Sequence, residues 1–261
     1  MRDLLNDIAE GLSHPDPIRR AQIQMKKPLP KRFYKTVTVG ELDECFSIEL
    51  DGKAIRTPAR KLLVVATKPL AELLVLEWDA QADLIDPSTM PVTRLVNTAI
   101  DGVAPDKQAV FEDILRFSSS DLICYRADAP QALVERQKEF WDPVLDWAGN
   151  SLGARFILIE GVMHRDQPRE ASSAFSAALR RHDNATVLAA LHTITTLTGS
   201  ALLALAFAEG VLPAKKVWSL AHLDEDWTIE HWGSDEESEE RREKRFEDFN
   251  AAADVFLAMK G

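Results

Sequence analysis

Ile85-Asp86-Pro87-Ser88-Thr89-Met90-Pro91 puts two prolines and the two hydroxyl cap formers Ser88 and Thr89 into seven residues. Each proline disfavours helical geometry at the residue before it, so Asp86 and Met90 are both expected in extended or turn conformation. The texture of the chain differs on the two sides of this stretch, with short alternating apolar runs before it and helical periodicities after it. A domain boundary is therefore expected here, separating a small α+β domain over 31–86 from a helical bundle domain over 87–261. An amino-terminal arm over 1–30, punctuated by Pro15, Pro17, Pro28 and Pro30, precedes both, with no more than a local helix over Asp3 to Leu12.

Upstream of the break, Phe33, Val37 and Val39 alternate with Tyr34, Thr36 and Thr38, and Phe46, Ile48 and Leu50 alternate with Ser47 and Glu49. Period-two alternation predicts half-buried strands. Asp51-Gly52 supplies the positive φ angles of a tight hairpin leading into Lys53 to Arg56, and Leu62 to Val65 completes a small antiparallel sheet. Thr67 is the expected cap of a helix with Pro69 in its first turn, and the spacing of Leu70, Leu73, Leu74, Glu77 and Trp78 lays that helix over one sheet face.

Downstream, Leu95, Ile100, Phe111, Ile114 and Leu115 fall in two short helices, and Gln131 to Gly149 is a longer one that Asp142-Pro143 is expected to kink or restart. Phe156 to Ile159 reads as a strand or a buried extended link. Ser172 to His182, Val187 to Ala208 and Pro213 to Trp232 are helical again. Val187 to Ala208 holds no Lys, Arg, Asp or Glu and is long enough to span a bilayer. Its His192, four Thr, Gly199 and Ser200 point instead to a buried pair of helices, and no membrane insertion is expected.

A chain of 261 residues, 46% hydrophobic with a net charge of −11, folds around a real core and makes a poor nucleic-acid binder. Its glycines never form GxG, so no nucleotide site is expected. His164-Arg165-Asp166 matches a kinase loop only by accident, since the rest of that signature is missing. His222 with Asp226, or His231 beside Glu230, lacks the further ligands of a metal site, and Ser200 lacks the second glycine of a nucleophile elbow. No cofactor and no metal are expected. The alternative to a non-enzyme is a hydrolase built from dispersed carboxylate and His residues. Cys45 and Cys124, with no CxxC, fit a reducing compartment.

The charge is concentrated. Between Asp224 and Asp248 twelve acids face four cations, which accounts for −8 of the net −11. Ser234 and Glu237 read as a capping box that opens the final helix, with Asp235 and Glu236 well placed against its dipole. Glu237 with Arg241 and Glu240 with Lys244 are spaced as i,i+4 pairs. Phe246, Phe249, Ala253 and Phe256 form an apolar stripe farther along, so this helix is expected to dock by its tail and project an acidic head. Charge runs are most often a solvated face; the sharper reading is a recognition surface with Trp227 and Trp232 as aromatic neighbours.

Several motifs together resemble a known family. Glu77-Trp78 with Gln81, Ile85-Asp86-Pro87, Met90 to Thr93, Asn97 to Asp101, Asp121 to Ala127, and Gln137 with Trp141-Asp142-Pro143 are similar to the ATP-twelve family of assembly chaperones for the catalytic head of F-type ATP synthase. The resemblance runs from Arg32 to the end and includes Trp232-Gly233 and the acidic helix. It implies an α+β fold of two domains, a small antiparallel sheet with a covering helix and then a helical orthogonal bundle. It also implies a chaperone that binds the free alpha subunit and prevents its aggregation before it pairs with beta. A functional glutamate on the late acidic helix is implied too, with Glu240 the best match and Glu237 and Glu239 in neighbouring register. Asp235, Glu236 and Trp232 complete the expected partner-binding set. The absence of a presequence pattern in the first thirty residues points to a bacterial cytoplasmic member, related eukaryotic proteins residing in the mitochondrial matrix.

Overall fold

The computed structural model describes residues 28–161 and 165–260. The expected helix over Asp3 to Leu12, nearly all of the arm, and His164 of the kinase-like triplet lie outside them. The described residues divide into two compact units, 28–105 with 257–260, and the rest from 106 to 256. The prolines of 87–91 thus shape a turn inside the first unit.

That unit is built on four antiparallel strands: β1 (Val37–Leu42), β2 (Cys45–Leu50), β3 (Lys53–Ala54) and β4 (Val64–Val65). β2 is central, pairing Val37↔Leu50 through Leu42↔Cys45 with β1, Leu50↔Lys53 with β3 and Phe46↔Val65 with β4. Asp51 and Gly52 turn the β2–β3 hairpin at φ +49° and +74°, as their dipeptide predicts. The alternation beginning at Phe33 starts too early. Strand pairing begins at Val37, and Phe33 is 73% exposed.

Helix α1 (Lys68–Asp79) covers the sheet through buried Leu70, Ala71 and Leu74. Thr67 precedes it in extended conformation but does not cap it. Its hydroxyl is turned to donate to the carbonyl of Ala258, at 2.8 Å, and its oxygen accepts from none of the helix's first N–H groups. Tyr34, Leu50, Ile85 and Met90 form a core cluster against Val37, Ile55 and Trp78.

The turn after α1 is held by one buried side chain. Gln81 Oε1 accepts from Asp86 N at 2.7 Å, and its amide donates to the Glu77 carbonyl and the Thr89 hydroxyl, both at 3.1 Å. Glu77 then receives the first free N–H groups of α2 (Pro91–Thr98), Val92 and Thr93, at 2.7 Å each. A carboxylate from another helix thereby does the work of an N-cap. Burial raises the Glu77 pKa, and these bonds oppose the rise. A π-turn over Ala99–Val103 ends the segment.

The second unit is mostly helical: α3 (Lys107–Ser119), α4 (Gln131–Trp147), α5 (Arg169–Leu179), α6 (Ala185–Thr198), α7 (Ala201–Ala208), α8 (Ala214–Ala221), α9 (Leu223–Trp232) and α10 (Glu236–Ala258). Pro143 neither stops nor restarts α4, which runs through it as one element. β5 (Tyr125–Arg126) and β6 (Ile159–Glu160) pair in parallel. The link before β6 is not buried throughout, since Ile157 and Leu158 are exposed while Gln167 bonds both the N–H and the carbonyl of Ile157.

The uncharged run at 187–208 is the expected helix pair. Gly199 leaves α6 at φ +67°, Ser200 caps α7 by accepting from Leu203 N at 3.0 Å, and all eight residues of α7 are buried. Among the described residues no helix is long and apolar enough to cross a membrane. Asp121, wholly buried, anchors this corner by accepting from the Ser200 hydroxyl at 2.6 Å, Leu202 N at 2.9 Å and Ile123 N at 3.3 Å. The fold is α+β, with a small antiparallel sheet and a larger helical part.

Candidate partner-binding surface

The acidic segment begins on α9, where several acids are already committed to partners. Arg136 of α4 grips Glu230 with both guanidinium arms, at 2.6 and 2.9 Å, and Gln137 donates to Asp224 at 2.9 Å. Arg242 of α10 reaches Asp226 at 2.5 Å. The Arg136 pair holds the Glu230 carboxyl below its ordinary range. Trp227 stacks on His231 at 4.2 Å, with Arg136 over the Trp227 face. Trp232 closes α9 with 75% of its surface exposed. Trp141, buried in α4, donates its indole N–H to the Leu220 carbonyl at 2.9 Å, which ties α4 to the end of α8.

The capping box expected at Ser234 does not form. Asp235, immediately before α10, accepts from Ser238 N at 2.9 Å and from the Ser238 hydroxyl at 2.7 Å, and those bonds hold its carboxyl low. Ser234 instead donates to Glu239. A carboxylate one residue nearer the helix is the stronger acceptor for its first N–H groups. Of the two expected ion pairs, Glu237 with Arg241 forms at 3.4 Å. Glu240 and Lys244 form none among the described residues, where an exposed pair gains only about 0.3 to 0.5 kcal/mol over hydration.

With those acids committed, a pattern emerges on α10. Glu236, Glu240, Glu243 and Glu247 are exposed and have no ion-pair partner among the described residues. Their spacing, i, i+4, i+7 and i+11, places all four on one helical face. Phe249, Ala252, Ala253 and Phe256 are buried on the other side, with Phe246 against Trp218 at 5.1 Å and Phe249 at the same distance. The tail docks and the head carries a row of uncommitted carboxylates.

The groups considered for other chemistry are occupied structurally. His222 is buried against Trp218 and bonds the Trp218 carbonyl through Nδ1 at 2.8 Å, and burial lowers its pKa. Ser200 serves as the α7 cap. No group of His, Cys, Asp and Glu among the described residues is arranged to hold a metal.

Comparison with known proteins now decides the family. Residues 31–149 match the model of the ATP12 chaperone protein family. The crystal structure of Atp12 from Paracoccus denitrificans is 35% identical, with a TM-score of 0.82, over 88% of this chain and 98% of that one. The chain belongs to the ATP12 chaperone family. A candidate chaperone of Agrobacterium tumefaciens is similar at 66% identity and a TM-score of 0.88, over 99% of this chain and 97% of that one. The mitochondrial protein atp12 of Schizosaccharomyces pombe is 26% identical over 85% of this chain and 80% of its own length. The ATP12 fold found in Paracoccus is thus this chain's fold.

Within this ATP12-family chain the predicted site residues fall into distinct environments. Trp232, Glu236 and Glu240 are exposed, Asp235 caps α10, and Glu237 and Glu239 have polar partners of their own. Sequence reading missed Glu243 and Glu247 as members of the same free face. The i, i+4, i+7 spacing was available as a signal, but it gains meaning only once Asp226 and Glu230 are seen to be paired elsewhere.

Proposed function

We propose that this ATP12-family chaperone for ATP synthase assembly binds the free alpha subunit of F-type ATP synthase and keeps it from aggregating before it pairs with beta. It does so without nucleotide, metal or catalysis, in the bacterial cytoplasm, with no role for nucleic acid or membrane insertion. The observation that carries the site is the face of uncommitted glutamates, Glu236, Glu240, Glu243 and Glu247, beginning a few residues from the exposed indole of Trp232. Carboxylates with no internal partner are available to cations on a client. An exposed Trp supplies the apolar anchor that such interfaces use. The alpha subunit itself is inferred from the family resemblance.

The test is light scattering of isolated alpha subunit with and without the purified chain, in the absence of ATP. The chain should suppress the scattering, and Glu240→Lys should abolish most of the effect, because like charges opposed across an interface cost several kcal/mol. Its melting temperature should stay near the parent's, since Glu240 is exposed and makes no ion pair among the described residues. Glu44→Lys, an exposed reversal on the first unit, controls for net charge. A Glu240→Lys protein that protects alpha normally would overturn the site, and a requirement for ATP would overturn the mechanism.

A further inference from the structure

Between Gly52 and Ala71 the chain carries Lys53, Arg56, Arg60, Lys61 and Lys68 with no Asp or Glu, inside a sequence of net charge −11. The centre of this stretch is a tight hairpin tip. Arg56 bridges Leu62 in antiparallel sense. Thr57 N donates to the Lys61 carbonyl at 2.9 Å, and Arg60 N to the Thr57 carbonyl at 2.8 Å. Asp101 clamps the tip with both oxygens, accepting from the Thr57 hydroxyl at 2.8 Å and from Ala59 N at 3.0 Å. Thr57 is fully buried, whereas Arg56, Pro58, Ala59, Arg60 and Lys61 are exposed. The loop therefore has a locked root and a cationic crown.

Two features separate this crown from an ordinary solvated loop. Its cations are oriented by neutral groups: Arg56 Nη1 donates to the Arg60 carbonyl at 2.7 Å, and Lys61 Nζ to the Ile100 carbonyl at 2.9 Å. Neither side chain has an ion-pair partner among the described residues, so neither charge is offset by a neighbouring carboxylate, although part of its rotamer entropy is already lost. The other feature is Arg60 itself, at φ +66°. Glycine would take that conformation freely, whereas a side chain there is strained. Strain of this kind clusters at ligand clamps and switch regions.

Pre-positioned cations recognise carboxylates. A phosphate backbone is the poorer match, because three cations on one tip do not make the extended basic stripe that tracks nucleic acid and the acidic remainder of the chain repels it. We propose that the tip Arg56–Lys61 docks an acidic segment of the client subunit. The chaperone then engages its client with charges of both signs, carboxylates from α10 and cations from the tip. This inference rests on the alpha-subunit reading above.

The experiment measures binding of full-length chain to immobilised alpha subunit at low and high salt. The variants are Arg56→Glu with Lys61→Glu, the neutral pair Arg56→Gln with Lys61→Gln, and Arg60→Gly. Lys35→Glu, an exposed reversal elsewhere on the same unit, is the control. The neutral pair should bind about tenfold more weakly at low salt, the reversed pair more weakly still, and both should lose much of the parent's salt dependence. Arg60→Gly, which relieves the backbone, should also bind more weakly while melting cooperatively. If the reversed pair does not fold, the neutral pair and Arg60→Gly decide the matter. Parent-like binding by the folded variants, or an equal loss in Lys35→Glu, overturns the tip while leaving the alpha-subunit reading intact. So does RNA binding that the variants lose while alpha binding is unchanged. If the parent chain itself fails to capture alpha, both readings fall together.

Discussion

Asp121→Asn should remove one pH-dependent contribution to the protein's stability. Asp121 is wholly buried, with no cation bonded to it among the described residues, and its carboxyl is held by the Ser200 hydroxyl and the N–H groups of Leu202 and Ile123. Burial pushes its pKa up and these donors pull it back, leaving it at about 7 against an ordinary 3.8. In the unfolded chain the same carboxyl loses its proton near its ordinary value, so between the two values the native state holds more protons. Stability from this group is therefore complete below about pH 4 and falls as pH rises, levelling off above 7. About three pH units at roughly 1.4 kcal/mol each give a loss of about 4 kcal/mol. Asn stays neutral throughout and forfeits one acceptor, a pH-independent cost of about 1 to 3 kcal/mol. Urea unfolding of both proteins, followed by tryptophan fluorescence from pH 4 to 8, isolates the group because every other titration is shared. The advantage of the parent over Asp121→Asn should shrink steadily with rising pH. A difference that is constant, or that grows with pH, would refute the reasoning and identify Asp121 as a carboxylate stabilised in its charged form.

Other perturbations have smaller and more local effects. Gly199→Ala meets only Leu122 Cβ at 3.7 Å, so space is not the difficulty; the positive φ should cost about 1 to 2 kcal/mol, read as a lower melting temperature. Trp141→Phe strands the Leu220 carbonyl in the core and should cost about 1 to 3 kcal/mol in denaturant unfolding. A double-mutant cycle on Arg136 and Glu230 should return at most about 1 kcal/mol, since Glu230 is half exposed and salt competes for the pair.

Features set by neighbouring residues were the most legible in the sequence. Asp51-Gly52 specifies its hairpin locally, the Val187 to Ala208 run breaks at Gly199-Ser200 as glycine and a cap former dictate, and the Phe246 to Phe256 stripe buries as its spacing requires. Features decided by competition were not. Thr67 and Ser234 are both good cap residues, yet one finds the carbonyl of Ala258 and the other yields to Asp235, choices that depend on acceptors outside their own helices. Glu77 and Gln81 were recognisable as motif residues, but not as the groups that close the turn at 86–89 and start α2, because those partners come from a turn and a helix that follow α1. At the acidic surface the sequence located the segment. Which carboxylates stay free depends on Arg136, 94 positions from Glu230, and no local pattern reports that.

The bond from Thr67 to Ala258 spans 191 positions, and residues 257–260 belong to the same compact unit as the sheet. During synthesis at about 5 to 20 residues per second, the sheet and α1 would emerge roughly 10 to 40 s before the strand of chain that completes their unit. Throughout that interval Thr67 lacks its carbonyl acceptor and is at liberty to cap α1, the local role its sequence position favours. Nascent chains arrested before residue 257 should therefore show a more protected first turn of α1 in hydrogen exchange than the finished molecule. Completion of the polypeptide would trade a local cap for a long-range tie.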